Sequence, residues 1–291
     1  MKYITINDLN NTIRKNLWKI PHDVDFVIGV PRSGMLCATI ISEFLNVPLV
    51  DSDSFASGAK PTGGNRLTFH KESGNGRKKV LVVDDTIFGG TSNREARRLL
   101  KPFEDECTFV YLVVYLEGTA SNLIDIYLED IRQHRLDATI PVLYEWNIFH
   151  HYERYTTKFI YDFDGVLCVN PPNERNEKIY LDYIKHATPL FIPSTKIGEI
   201  VTYRLIKNKE ISENWLREHG VSYGKLTMFD AQTWDERNKS GISPERMKGD
   251  YYKQQDWAIL FIESDDSQAR KIFEISGKPV YCVDSNKLYA N

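Results

Sequence analysis

Cysteine is scarce in this chain. Its 291 residues hold four: Cys37, Cys107, Cys168 and Cys282, widely separated and with no CxxC or Cys/His spacing. That excludes a disulfide framework and a thiolate metal site, and reduced thiols in a cytoplasmic protein are expected. Long apolar runs are missing too. Nothing approaches the roughly 18 consecutive apolar residues of a membrane span, and the opening MKYITINDLNNTIRK has no apolar core of the signal-peptide kind. No membrane partner is expected. Neither sign of charge is in excess: 37 Lys and Arg stand against 40 Asp and Glu, a net charge of -3. There is thus no general attraction to nucleic acid or anionic lipid. The pattern holds no internal repeat and no low-complexity tract. What is present is ordinary globular composition, 42% hydrophobic and 26% charged, in a chain long enough for two domains that each bury a core.

The strongest apolar runs are continuous rather than alternating. Runs at 24–30, 79–85 and 107–117, with a short one at 47–50 and helices over 34–45 and NREARRLLKPF between them, predict a parallel sheet covered on both faces. A second series begins at Lys158. It predicts strands at 158–163, 197–203, 224–229, 257–263 and 279–283, and helices over ISENWLREHG and DSQARKIFEISG, each closed by a glycine of the C-capping kind. The aromatic stretch PVLYEWNIFHHYERYTT (141–157) fits neither element and marks the domain junction. Trp146 and Phe149 there read either as packing between domains or as core of the first. The expected fold class is α/β in two domains, 1–155 and 156–291, each a mainly parallel sheet flanked by helices.

Asp84 and Asp85 close one of these runs and are followed by Thr86-Ile87-Phe88-Gly89-Gly90-Thr91-Ser92. Carboxylates at the C-terminus of a parallel strand face the crevice where ligands bind in open α/β sheets. The small residues after them let backbone N–H groups wrap a phosphate, and the next helix adds the positive end of its dipole. Thr91 and Ser92 offer hydroxyls and also read as N-caps. Acids beside a phosphate cradle suit a ligand carrying hydroxyls or magnesium, such as a sugar phosphate. The stretch resembles the phosphoribosyl pyrophosphate (PRPP) signature of type I phosphoribosyltransferases. The resemblance implies that Asp84 and Asp85 contact the ribose hydroxyls and stabilise charge at the anomeric carbon, while Phe88, Gly89, Gly90, Thr91 and Ser92 hold the 5′-phosphate. Phe88 departs from the family, standing where a small hydroxyl residue is common. Ile28-Gly29-Val30-Pro31-Arg32-Ser33-Gly34 is similar to the family's pyrophosphate loop, so Arg32, with Ser33 and Gly34, would meet the diphosphate. The basic stretch 57–79 occupies the place of the family's mobile loop, with Lys60, Arg66 and Lys71 as candidate closers; it reads equally well as a solvated hairpin. The resemblance covers about residues 20–120 and identifies no base-recognising region.

Phe159-Ile160-Tyr161-Asp162-Phe163-Asp164-Gly165-Val166-Leu167 is the most specific motif in the chain. It resembles the first motif of the haloacid-dehalogenase (HAD) superfamily of phosphohydrolases. The resemblance implies that Asp162 attacks phosphorus and that Asp164 protonates the leaving alcohol and later activates water. Magnesium would offset the charge of a carboxylate approaching a dianion. The family's later motifs follow in order. Thr202 ends an apolar strand at the place of the phosphate-binding hydroxyl. Lys248, with Lys253 as competitor, stands for the phosphate-steadying lysine. Glu263 and Asp265, with Asp266 as a further candidate, stand for the acidic motif, so that the expected magnesium set is Asp162, Asp164, Glu263 and Asp265. Glu263 replaces the more usual first Asp. Only about thirty-five residues separate Leu167 from Thr202, which implies a minimal cap and an open site. This resemblance covers about residues 157–285.

Together these motifs lead to the expectation of a bifunctional, magnesium-dependent enzyme acting on PRPP and a nucleobase or nucleotide, with phosphate-monoester hydrolysis in the second domain. Two alternatives stand beside it. In one, a non-catalytic PRPP- or nucleotide-binding domain regulates the phosphatase; in the other, the phosphatase processes nucleic-acid ends, which the acidic balance disfavours. Self-association is left open.

Overall fold

The computed structural model describes residues 1–64, 76–135, 139–172 and 176–291. It divides into two compact units, Ile4–Ala138 and Thr139–Asn291 together with Met1–Tyr3. β1 (Tyr3–Ile4) and α1 (Ile6–Lys15) lead into β2 (Phe26–Gly29), α2 (Ser33–Leu45), β3 (Leu49–Asp51), α3 (Ser52–Ala56), β4 (Lys78–Ile87), α4 (Thr91–Leu100), β5 (Cys107–Leu116) and β6 (Ile126–Asp130). Five of these strands form one sheet in the order β3-β2-β4-β5-β6, and every neighbouring pair is parallel. The β-branched run of β4 and the FVIG of β2 are buried along their central residues, as expected of strands covered on both faces. The chain passes from β2 to β3 on one side and returns to β4 on the other. The strand order therefore reverses between β2 and β4, and the crevice of an open α/β sheet lies at their C-terminal ends. β6 was not expected from the sequence; its IYLED buries only Leu128 and so carries no apolar run.

The second unit holds β7 (Leu143–Tyr144), α5 (Glu153–Thr156), β8 (Phe159–Tyr161), α6 (Glu177–His186), β9 (Ile197–Leu205), α7 (Lys209–Glu218), β10 (Tyr223–Phe229), α8 (Trp234–Lys239), α9 (Pro244–Lys253), β11 (Leu260–Glu263), α10 (Asp266–Ser276), β12 (Val280–Cys282) and β13 (Lys287–Tyr289). Its six-stranded sheet runs β10-β9-β8-β11-β12-β13, parallel throughout except for the antiparallel β12–β13 pair. α7 and α10 form where the capping glycines predicted helices. α8 and α9 escape the pattern because their sequences are largely polar, and α8 (WDERNK) buries no residue at all; α6 (EKIYLDYIKH) carries apolar residues but buries only Ile184.

The divide between the units falls at 138/139, not at 155/156. The reason is the aromatic stretch. Leu143, Ile148, Phe149 and Tyr155 join Tyr161 and Phe163 in one core, and Phe149 stacks on Phe191 with centroids 4.5 Å apart. Phe149 is therefore core of the second unit and not of the first, and Trp146 packs beside Tyr144 at 5.1 Å. The first residues belong here too, since the Leu143 N–H donates to the Lys2 carbonyl at 2.9 Å. All four cysteines are free and buried, and no described helix is long and apolar enough to cross a membrane.

Truncating a buried aromatic removes its transfer energy and leaves a cavity. Phe149→Ala is expected to destabilise the second unit by about 3 kcal/mol or more. Hydrogen exchange would then quicken in β8 and β11, while β4 and β5 keep the protection they have in the parent protein.

Candidate active sites

In the first unit, β4 delivers Asp84 and Asp85 to the crevice, both 6% exposed. The Asp84 carboxylate accepts from the Asp85 N–H at 3.0 Å and from the Asn93 side-chain amide at 3.2 Å. Asp85 accepts from the Thr86 N–H at 2.8 Å. Burial, with the neighbouring Asp85 charge adding to it, pushes the Asp84 carboxyl well above the usual carboxylate range. A buried acid held by neutral donors is what a hydroxyl-bearing or cationic ligand would stabilise. The loop after β2 comes close by. The Val30 N–H donates to the Val83 carbonyl at 2.9 Å, and a Cβ on Gly34 would lie 2.8 Å from that carbonyl and 2.9 Å from Asp84 Oδ1. Only glycine lets α2 begin against the strand that carries the acids. Arg32 is exposed and Ser33 half-buried at this helix start.

Phe88 and Gly89 are exposed, and Gly90 is the N-cap of α4 with left-handed backbone and no side-chain cap. Thr91 and Ser92 are therefore the first helical residues rather than caps, and their backbone N–H groups stand at the open helix end, where orphan donors collect. Arg94 closes the other side of the loop by donating to the Gly89 carbonyl at 2.6 Å. Asn93, which orients Asp84, was missed in the sequence because a polar residue inside a helix carries no pattern. Of the candidate closers, Lys60 is exposed, and Arg66 and Lys71 lie outside the described residues.

The second unit places Asp162 just after β8, Thr202 in the C-terminal half of β9, Lys248 on α9 and Glu263 at the end of β11. Asp162 is 5% exposed, Lys248 2% and Glu263 0%. The Lys248 ammonium donates to Asp162 at 2.7 Å, to Glu263 at 2.7 Å and to Gln268 at 3.3 Å. Burial opposes the charge on Lys248, but the two carboxylates outweigh it and raise the pKa. Burial and the nearby Glu263 push the Asp162 carboxyl well up, with Lys248 acting against them. Lys253, at the exposed end of α9, takes no part. Asp164 is held differently. Arg204 Nε donates to both its oxygens at 3.0 and 3.1 Å, Arg204 Nη2 adds a further short bond, and the Tyr183 hydroxyl donates at 2.7 Å. Burial alone would raise the Asp164 carboxyl; the Arg204 charge and these bonds override it and hold it below the usual range. The guanidinium lies 3.7 Å from the Phe163 ring centroid. Arg204 and Tyr183 were missed because each reads in sequence as an ordinary residue of a strand or helix. Gly165 takes φ of +79°, which permits the turn after Asp164 that a side chain would resist.

Asp162, Asp164, Thr202, Lys248 and Asp265 line one cavity of about 660 Å³. The four carboxylates expected around magnesium do not converge. Among the described residues no three His, Cys, Asp or Glu side chains form a metal-holding group. Glu263 is spent on Lys248 and on the Ser264 N–H at 2.9 Å, Asp164 is spent on Arg204, and Asp266 accepts from Tyr289 at 2.7 Å. Asp162, which shares Lys248 with Glu263, and Asp265, which caps α10 by accepting from the Gln268 N–H at 2.8 Å, line the cavity without a guanidinium partner. Two carboxylates are a sufficient protein share for magnesium, which keeps waters and takes substrate phosphates for the rest.

Residues 3–127 match the family model of the phosphoribosyl transferase domain. Among solved structures, orotate phosphoribosyltransferase from Aeropyrum pernix aligns at 18% identity over 44% of this chain and 71% of that one, with a TM-score of 0.32. Xanthine-guanine-hypoxanthine phosphoribosyltransferase from Helicobacter pylori aligns at 15% identity over 50% and 93%, TM-score 0.35. Purine phosphoribosyltransferase from Pyrococcus horikoshii aligns at 19% identity over 50% and 92%, TM-score 0.32.

Removing the ammonium between two buried carboxylates leaves uncompensated charge. Lys248→Ala is expected to cost about 3–5 kcal/mol at neutral pH. Without Lys248 the Asp162 carboxyl, already pushed up by burial, is easier to protonate in the folded chain than in the unfolded one. Its ionisation then costs stability in full above that raised value, and the loss shrinks as the pH falls toward the ordinary carboxylate range. Urea unfolding at neutral and mildly acidic pH measures both effects.

Proposed function

We propose that this chain is a bifunctional enzyme of nucleotide metabolism. The first unit transfers a phosphoribosyl group between PRPP and a nucleobase, and the second, a HAD-type unit with a minimal cap, hydrolyses a phosphate monoester. The phosphoribosyl transferase match over residues 3–127 supports the first half, together with buried Asp84 and Asp85 beside a glycine-mediated helix start. The observation that carries the second half is the buried Asp162 at the end of β8, bonded to Lys248 and lining one cavity with Thr202.

In the first site a base nitrogen attacks the anomeric carbon as pyrophosphate departs toward Arg32 and the start of α2. Asp84 and Asp85 hold the ribose hydroxyls and offset the positive charge that builds on the ring. In the second, a carboxylate oxygen of Asp162 attacks phosphorus and the ester oxygen leaves with a proton that Asp164 first takes up from solvent, since Arg204 and Tyr183 hold it ionised in the free chain. Water then attacks the aspartyl phosphate, giving its proton to Asp164, and inorganic phosphate is released. Arg204 and Tyr183 hold Asp164 ionised in the arrangement described, which is the form that accepts a proton from water. Lys248 and Thr202 steady the phosphoryl oxygens. Magnesium, held by Asp162 and Asp265 here and entering with the diphosphate in the first site, would offset charge between carboxylate and phosphate. Transfer to a base yields a nucleoside monophosphate, whose phosphate the second unit would remove, drawing the first reaction forward. Four free, buried thiols suit a cytoplasmic setting.

A second reading, in which the first unit binds PRPP or a nucleotide without turnover and regulates the phosphatase, is favoured by Phe88, 43% exposed at a position expected to touch phosphate.

With magnesium, PRPP and a panel of bases, pyrophosphate and inorganic phosphate release can be followed separately. Asp162→Asn is expected to lower phosphate release on the order of 10³-fold and leave pyrophosphate release in place; the Asp84→Asn, Asp85→Asn double variant is expected to lose both from PRPP and base, while it still releases phosphate from an added nucleoside monophosphate at the parental rate. Parental phosphatase activity in Asp162→Asn sinks the second half. Binding of PRPP without pyrophosphate release, by any base, replaces the transferase with the regulator.

A further inference from the structure

This cavity of the second unit is much larger than a phosphate group, and its lining has two chemistries. Asp162, Thr202 and Lys248 supply charge and a hydroxyl. Tyr180 of α6, Tyr203 of β9, and Trp234 and Arg237 of α8 supply planar groups to the same lining. Tyr180 and Trp234 meet edge to face, with centroids 5.6 Å apart and planes at 71°. Tyr180 also stacks on Tyr183, with centroids 6.0 Å apart, which braces it against Trp234 and leaves the half-buried indole as the ring whose face a third planar group can cover. Beside them the Arg237 guanidinium lies 4.4 Å from the Tyr203 ring centroid and donates to the Tyr203 carbonyl at 2.9 Å. Its Nε is buried without a hydrogen-bond partner. α8 opens at Trp234 because Thr233 caps it, accepting from the Glu236 N–H at 3.1 Å. The cap sets the indole at the helix start, on the cavity wall. The 660 Å³ volume falls in the range of roughly 300–1,000 Å³ typical of pockets that enclose a whole small ligand.

Resting on the phosphohydrolase reading of this site, we infer that its substrate is a phosphate ester bearing a planar aromatic base, a nucleoside monophosphate, and that Trp234 and Tyr180 are the platform on which the base stacks. The phosphate end is shared by any monoester, so discrimination falls to the wall that touches the rest of the molecule. A sugar phosphate without a base leaves the indole wet, whereas a nucleotide covers it. Base–aromatic stacking tolerates every base because each has a π-face. The platform therefore selects nucleotides from sugar phosphates without selecting among bases.

The test uses the full chain with magnesium and compares adenosine, guanosine, cytidine and uridine 5′-monophosphates with ribose 5-phosphate. In the parent protein kcat/KM is expected to be at least about ten-fold higher for the nucleotides. Trp234→Ala is expected to bring that ratio close to one, and Trp234→Phe to restore most of it, which a folding defect would not do. Equal turnover of ribose 5-phosphate and nucleotides by the parent protein, or a ratio untouched by Trp234→Ala, overturns the inference. If no ester is hydrolysed by the parent protein, the phosphohydrolase reading fails separately, and calorimetry decides the platform. Nucleotide binding lost in Trp234→Ala and regained in Trp234→Phe supports it; identical binding in all three proteins overturns it.

Discussion

A buried ammonium shared by two carboxylates organises the second unit. Lys248 comes from α9, Asp162 from the end of β8 and Glu263 from the end of β11, and 2.7 Å contacts to both acids tie the three elements together. None of the three charges is tolerable alone at that depth. The arrangement fixes where Asp162 points, and it removes Glu263 from the cavity wall, which is why the carboxylates expected around magnesium are only partly available. Charge pairing, more than apolar packing, gives this site its shape.

The acids beside Asp162 and in the first unit are handled differently. Asp164 is neutralised by Arg204 across two strands and kept ionised. Asp84 is held by the Asp85 amide and the Asn93 side chain, both neutral donors, and burial drives its carboxyl upward. An acid of that kind is costly in the free protein and relieved by a ligand; burial drives the Asp162 carboxyl upward as well, against Lys248, whereas Asp164 is satisfied beforehand.

Several candidate residues were legible because each sits where a continuous apolar run stops, and the C-terminal edge of a parallel sheet faces the ligand side. That rule drew attention to Asp84, Asp85, Asp162 and Thr202, although β4 runs on to Ile87 and β9 to Leu205. Lys248 was found by order along the chain, and its burial on Asp162 separates it from exposed Lys253 in a way that no local pattern could. Residues whose role depends on what they meet across the fold left no trace: Asn93, Arg204, Tyr183 and Trp234 look in sequence like ordinary polar, charged or aromatic positions. The aromatic stretch 141–157 was visible but ambiguous, since hydrophobicity states that a segment will be buried and not which core receives it.

By itself the sequence determined the two parallel-sheet units, through apolar runs too continuous for one-sided strands, and the strand ends that bear the acids, through the residues that stop those runs. Only the tertiary structure decided which core takes Phe149, which lysine reaches Asp162, and which carboxylates still face the cavity. Strand identity is a local property of consecutive side chains. Partner choice for a buried charge or ring is a contest among groups distant in the chain, settled by which of them the fold brings within contact distance.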